Sequence, residues 1–204
     1  MRTVHLVVAE ISHHLRVFWR VPVAGFFTVG FPAMVYVLLT VFNVGETFAL
    51  FGDVDVARYL TPAIAAFAMV TSAFTNVAIT VSADRDDGIL KRIRGTPLPP
   101  WIFMTGRIAA AVVTGLASVV LLVAIGAVFF GVDVPWGRLP VALLVLAVGA
   151  AAFAALGLAV AGAAPNAQTA PAVANGVIIP LAFVSGVFFP VEAAPGWIGV
   201  LAGL

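Results

Sequence analysis

Few side chains in this sequence are suited to chemistry, and their densest group lies between Asp84 and Arg107. The run Asp84-Arg85-Asp86-Asp87-Gly88-Ile89-Leu90-Lys91-Arg92-Ile93-Arg94-Gly95-Thr96-Pro97-Leu98-Pro99-Pro100-Trp101, continued to Arg107, holds five of the ten Lys and Arg residues. Its chemistry is ionic recognition, not bond making. A phosphate-binding loop needs a Lys behind a Gly-rich turn, and the only Lys, Lys91, is followed by Arg92. ATP hydrolysis by that route is excluded. His5, His13 and His14 all fall in the first fourteen residues, so no imidazole stands beside a nucleophile such as Ser185. His13 and His14 are neighbours that point about 100° apart on a helix and make a poor metal pair. With no Cys, disulfides and thiolate metal sites are excluded as well. The remaining candidates are Ser72, Asn76 and Thr80, spaced at i+4, with Thr71 and Thr75 beside them. That polar stripe either hydrogen-bonds a neighbouring helix or lines a substrate path.

The charged run must be placed by a helix with marked ends. Residues 84–94 predict one of about three turns, with Asp84 as N-cap, Asp86 and Asp87 at the positive end of its dipole, and Lys91, Arg92 and Arg94 at the negative end. Gly95 is expected to close it in the left-handed conformation, and Pro97, Pro99 and Pro100 to forbid its continuation. Ile89, Leu90 and Ile93 then share one side, and Asp87 and Lys91 form an i,i+4 pair. Such an element lies on a membrane surface or docks onto a partner.

The surroundings are hydrocarbon. Of the 204 residues, 63% are hydrophobic and 9% charged, against roughly 25% charged in soluble domains. The fold class is therefore an all-α integral membrane protein, a polytopic helical bundle. Its net charge of +1 says nothing about nucleic acid, because the basic residues are spent on topology and not gathered into a phosphate-binding face. Residues 3–20 carry Val4, Val7, Val8, Ile11, Leu15 and Phe18 at helical spacing, with Trp19 at the end. They read as an amphipathic interfacial helix, the alternative being a loose basic tail; Arg2, Glu10, Arg16 and Arg20 rule out a cleavable signal.

A crossing takes about 20 apolar residues. Five stretches qualify: 21–42, with a kink expected at Pro32; 59–83; 108–130; 139–163; and 170–189, separated from the fourth by Pro165-Asn166-Ala167-Gln168. No stretch contains a central Asp, Glu, Lys or Arg, which disfavours a proton relay. Ala147, Ala151, Ala155 and Ala159 form a small-residue row suited to close helix packing. With the N-terminus cytoplasmic, Arg2, Arg16, Arg20, Arg85, Lys91, Arg92, Arg94 and Arg107 share the inner side, and only Arg58 and Arg138 lie outside. That asymmetry predicts a multi-pass cell-membrane protein with a cytoplasmic loop at 84–101 and an outer acidic loop at 43–58, where Glu46, Asp53 and Asp55 fall.

The charged run resembles the cytoplasmic loop of type-two ABC transporter permeases, among them the daunorubicin-resistance-like membrane subunits of bacteria. Those carry an acidic-Gly-Thr-Leu-Lys-Arg-Leu-Arg run followed by Thr-Pro-Leu and an aromatic residue. Ser185-Gly186-Val187-Phe188-Phe189-Pro190-Val191-Glu192-Ala193-Ala194-Pro195-Gly196-Trp197 is similar to the family's pattern after its fifth span. The resemblance implies the membrane subunit of an ATP-driven exporter of amphipathic drugs, lipids or lipid-linked glycans. This chain would bind no cofactor, ATP and Mg being held by a separate ATPase subunit. A second permease copy is implied, with Asp86, Asp87, Gly88, Ile89, Leu90, Lys91, Arg92, Ile93 and Arg94 in a coupling helix that docks on the ATPase. Ser72, Thr75, Asn76 and Thr80 are candidates to line the substrate path. Residues 190–204 would begin an outer re-entrant hairpin with Pro190, Glu192, Pro195 and Trp197. The family's sixth span is expected to be lacking from these 204 residues. A reading of another class, a membrane scaffold that holds a cytoplasmic partner on 84–94 without moving a substrate, predicts no neighbouring ATPase.

Overall fold

The structure is a computed structural model and describes residues 2–43, 47–48, 54–96 and 98–185. The expected hairpin residues Pro190, Glu192, Pro195 and Trp197 lie outside the described residues, as do Glu46, Asp53 and Pro97.

The described residues are helical almost throughout. Helix α1 spans Arg2–Trp19, α2 Pro22–Gly25 and α3 Phe31–Phe42, with a π-helical turn at Phe26–Gly30 between the last two. Then come a two-residue pair of antiparallel strands, β1 Thr47–Phe48 and β2 Val54–Asp55, and the helices α4 Val56–Asp86, α5 Ile89–Arg94, α6 Pro100–Phe130, α7 Leu139–Ala163 and α8 Ala170–Val184. Among the described residues, four segments are long and apolar enough to cross a membrane: Pro22–Phe42, α4, α6 through Phe129, and α7. Helix α8 is apolar but shorter over the described residues, and its extension toward 189 lies outside them.

The π-helical turn has a local cause. Pro32 has no N–H for the Thr28 carbonyl four residues earlier, and Ser118 Oγ from α6 donates to that carbonyl at 3.3 Å. The irregularity therefore sits before Pro32, and a neighbouring hydroxyl satisfies its exposed backbone group.

Helix α4 is the centre of the bundle, packed on α6, α7, α8 and α3. Its core residues Leu60, Ile64, Met69, Ala73 and Val77 are almost wholly buried. Close approach needs glycine on the opposing helices. A Cβ at Gly157 of α7 would lie 2.5 Å from the Phe74 carbonyl oxygen, and one at Gly115 of α6 would lie 2.6 Å from Met69 Sδ. The buried face of α7 is Ala150, Ala154, Gly157 and Ala161. This shifts the small-residue row expected at Ala147, Ala151, Ala155 and Ala159, of which Ala155 and Ala159 are exposed. Helical spacing cannot distinguish two adjacent small-residue rows, and backbone proximity to Phe74 selects the one containing Gly157.

Away from α1 and α5, Tyr36 is fully buried and shares a 2.7 Å hydrogen bond with Thr61, whose hydroxyl donates to the Ala57 carbonyl at 2.6 Å. Arg58 and Asp133 form an ion pair at that end, both well exposed, where such a pair contributes about 0–1 kcal/mol.

Candidate functional site

The charged run is built differently from the single capped helix that its local pattern predicts. Asp84 is no N-cap: α4 continues through it to Asp86. The left-handed residue is Gly88, with φ of 74°, whereas Gly95 is right-handed at φ of −84°. Gly88 closes α4 as its C′ residue, donating to the Arg85 carbonyl at 3.1 Å while Asp87 donates to Ala83 at 2.9 Å. Only Ile89–Arg94 then forms α5. Among the described residues no ion pair joins Asp87 to Lys91.

The three charged residues that end α4 are tied to other segments of the chain. Asp84 pairs with Arg107 of α6, both side chains largely buried. Arg85 donates to the Ala161 and Ala164 carbonyls at the end of α7, each at 2.8 Å. Asp86 accepts from the Ala167 N–H at 2.6 Å. Outward lie Asp87 and α5, with Asp87, Lys91, Arg92 and Arg94 exposed and Ile89 36% exposed. Leu90 turns inward and packs on the chain's own core, and Ile93 is half-buried. The exposed apolar residue of α5 is thus Ile89, with the exposed cations Lys91, Arg92 and Arg94 on the same short helix.

Helix α1 covers the start of α6. Glu10 lies over Gly106, where a Cβ would come within 2.6 Å of the Glu10 Cβ. His14 meets the Phe103 ring edge-on at 5.1 Å, and the Arg107 guanidinium lies 5.3 Å from the centre of the same ring. Burial, then the nearby Arg107 cation and His13, press the His14 pKa down from 6.5 to about 4. The ring is therefore neutral near pH 7.

Beneath α1 a cavity of about 340 Å³ is lined by Asn76, Thr80, Asp84, Arg107, Thr114 and His14 together with apolar residues of α1, α4 and α6. The polar stripe is thereby divided. Asn76 and Thr80 face this cavity, with the Thr80 hydroxyl donating to the Asn76 carbonyl at 2.7 Å. Ser72 is buried elsewhere in the packing, and Thr75 does not line the cavity. Two larger apolar cavities flank α4 at the opposite end. One of about 690 Å³ includes Tyr59, Phe67, Phe153 and Ile178, and one of about 660 Å³ includes Arg58, Asp133, Val123 and Leu146. Both are of a size that takes drug-like molecules.

The family profile described as ABC-2 type transporter matches residues 6–204 of this bundle, which carries a charged helical segment at one end. The chain belongs to that family. No curated protein and no solved structure matches it. As an ABC-2 membrane domain it is the permease part of an ABC transporter, a family whose members normally pair with an ABC ATPase subunit. Sequence reasoning missed the α4–α6 pair Asp84–Arg107 and the clasp of Arg85 and Asp86 on the α7–α8 turn. The available signal was four charges placed immediately beside spans in a charge-poor chain.

Proposed function

We propose that this ABC-2 permease works in an ATP-driven exporter, moving an amphipathic drug, lipid or lipid-linked glycan outward with energy from a nucleotide-binding subunit that holds ATP and Mg and docks on α5. A second copy of the chain completes the pathway. The observation that carries the reading is the outward side of α5, which carries Ile89, Lys91, Arg92 and Arg94, while Asp84, Arg85 and Asp86 are committed to internal contacts. The division of basic residues, eight against two, supports a cytoplasmic position for this face. Asn76 and Thr80, with the cavity under α1, are the groups best placed for substrate entry from that side, and the two apolar cavities offer room for an amphiphile farther along.

Because Leu90 packs inward, a charge at that position would damage the fold as well as docking, so Ile89 is the residue to test. Docking would bury the exposed third of Ile89, worth about 0.5–1 kcal/mol of the roughly 1.5–3 for a whole aliphatic side chain. An aspartate there adds the cost of burying an unpaired polar group, about 1–3 kcal/mol, against about 0–1 for a surface ion pair. Ile89→Asp should therefore reduce retention of the ATPase on the purified permease by roughly 10-fold or more. Lys91→Ala should reduce it less, and more visibly at high salt. Retention of the ATPase by Ile89→Asp at the unaltered level would remove the docking reading. An intact membrane protein that binds a cytoplasmic partner on α5 without nucleotide-dependent transport would instead favour a scaffold.

A further inference from the structure

We propose that Arg85 and Asp86 are the joint through which motion of the docking segment reaches α7 and α8, which makes them positioning residues for transport and not docking contacts. The inference rests on the reading of α5 as the ATPase contact. It concerns what happens after docking.

The two side chains hold both sides of one turn. Arg85 Nη1 donates to the Ala161 carbonyl and Nη2 to the Ala164 carbonyl, each at 2.8 Å. These oxygens belong to the last turn of α7, where carbonyls lack intrahelical donors and the helix dipole is negative. On the other side of the Pro165 break, Asp86 Oδ2 accepts from the Ala167 N–H at 2.6 Å. Ala167 lies within the turn that leads into α8. The planar guanidinium fork suits two carbonyls at once, and a Lys in its place could reach only as a single point charge. Both groups are partly shielded: Arg85 keeps 32% of its side chain exposed and Asp86 37%.

The placement of this clasp along the chain gives it a mechanical role. Asp86 is the last residue of α4, Gly88 turns the chain at φ of 74°, and α5 begins at Ile89. A displacement of α5 thus acts on the end of α4 across two residues. The α7–α8 turn must follow because the end of α4 is bonded to it on both flanks. Capping alone would require neither residue to adjoin the docking segment, nor would it require the α7 and α8 sides of the turn to be held from one point.

The test uses the chain in complex with its ATPase subunit in lipid nanodiscs. The sequence has no Cys, so cysteines introduced at Val128 and Ser185 of one copy, assembled with an unlabelled second copy, carry the only spin labels on the permease. Their separation reports movement of the far end of α8 against α6. The unaltered complex should change this distance on trapping with ATP, Mg and vanadate. Arg85→Gln and Asp86→Asn should retain the ATPase and its basal hydrolysis but lose the distance change, and Arg85→Lys should keep part of it. A full distance change in Arg85→Gln would overturn the joint while leaving the docking reading intact. Loss of ATPase retention equal to that of Ile89→Asp would also overturn it, since the residues would then be docking contacts. If all three variants fail to fold, the clasp is only structural and the proposal falls. Failure of the unaltered chain to retain an ATPase would defeat the docking reading itself, and this inference with it.

Discussion

Removing one member of the Asp84–Arg107 pair should harm the protein far more than removing both. The two side chains are 16% and 13% exposed, and Phe103 covers the guanidinium from one side. Two unit charges about 4 Å apart attract by about 4 kcal/mol at an effective dielectric of about 20, much of it spent on desolvation. Asp84→Asn strands a cation that cannot lose its proton, and breaking a buried pair in this way costs about 3–5 kcal/mol. For a chain of 204 residues, each kcal/mol corresponds to roughly 2–4 °C in Tm. The single variants Asp84→Asn and Arg107→Gln should therefore melt about 6–20 °C lower. The double variant should recover more than half of the loss, because neither charge is then left unpaired. The four Trp residues give an intrinsic fluorescence signal for melting in detergent at fixed pH and salt. Single variants within about 1 kcal/mol of the unaltered chain, with effects that add in the double variant, would refute the reasoning and place the pair among ordinary surface bridges.

Two further outcomes follow from other elements. The His14 pKa of about 4 lies below its ordinary 6.5, so the unfolded chain takes up a proton that the folded one resists. Stability should accordingly fall as pH drops from 6.5 toward 4, by at most about 1.4 kcal/mol per pH unit. His14→Phe should flatten the part of that fall between pH 6.5 and 5 in melting curves, and an unchanged slope would show that the ring is solvated. For orientation, a cysteine at Asp133 should react with an impermeant reagent from outside intact cells and one at Thr96 should not. The reverse pattern would invert the topology and separate α5 from any cytoplasmic ATPase.

The class of protein was legible because it depends on composition and run length, which hold whatever the tertiary contacts. Details at helix ends were not, and the charged run shows why. Local capping rules favour a start at Asp84, but Arg107, 23 residues on, and the α7 carbonyls reward continuing α4 through it. The left-handed glycine was expected one helix too late, at Gly95 instead of Gly88, because the true helix end was hidden by that continuation. Likewise, a repeat of small residues marks a close-packing helix without selecting the face. The 2.5 Å approach of Phe74 to the Cβ position of Gly157 is a property of two helices together. Leu90 turned inward for the same kind of reason: α5 is short and packs on α4, so one of its three aliphatic residues serves the chain's own core.

The length of α4 sets a relation between this protein and the thickness of its bilayer. Its 31 residues extend about 46 Å, well beyond a hydrocarbon layer of about 30 Å. Arg58 near one end and Asp84 near the other are separated by about 39 Å of helix, each tied to another segment by an ion pair. These charges resist entering the acyl region, so a thinner membrane can be accommodated by tilting α4 but not by drawing either end inward. Tilting would swing the end of α4 bearing Gly88 and α5 sideways beneath the headgroups. Lipid composition would then set the resting angle at which α5 is presented, coupling the width of the bilayer to the ease of docking.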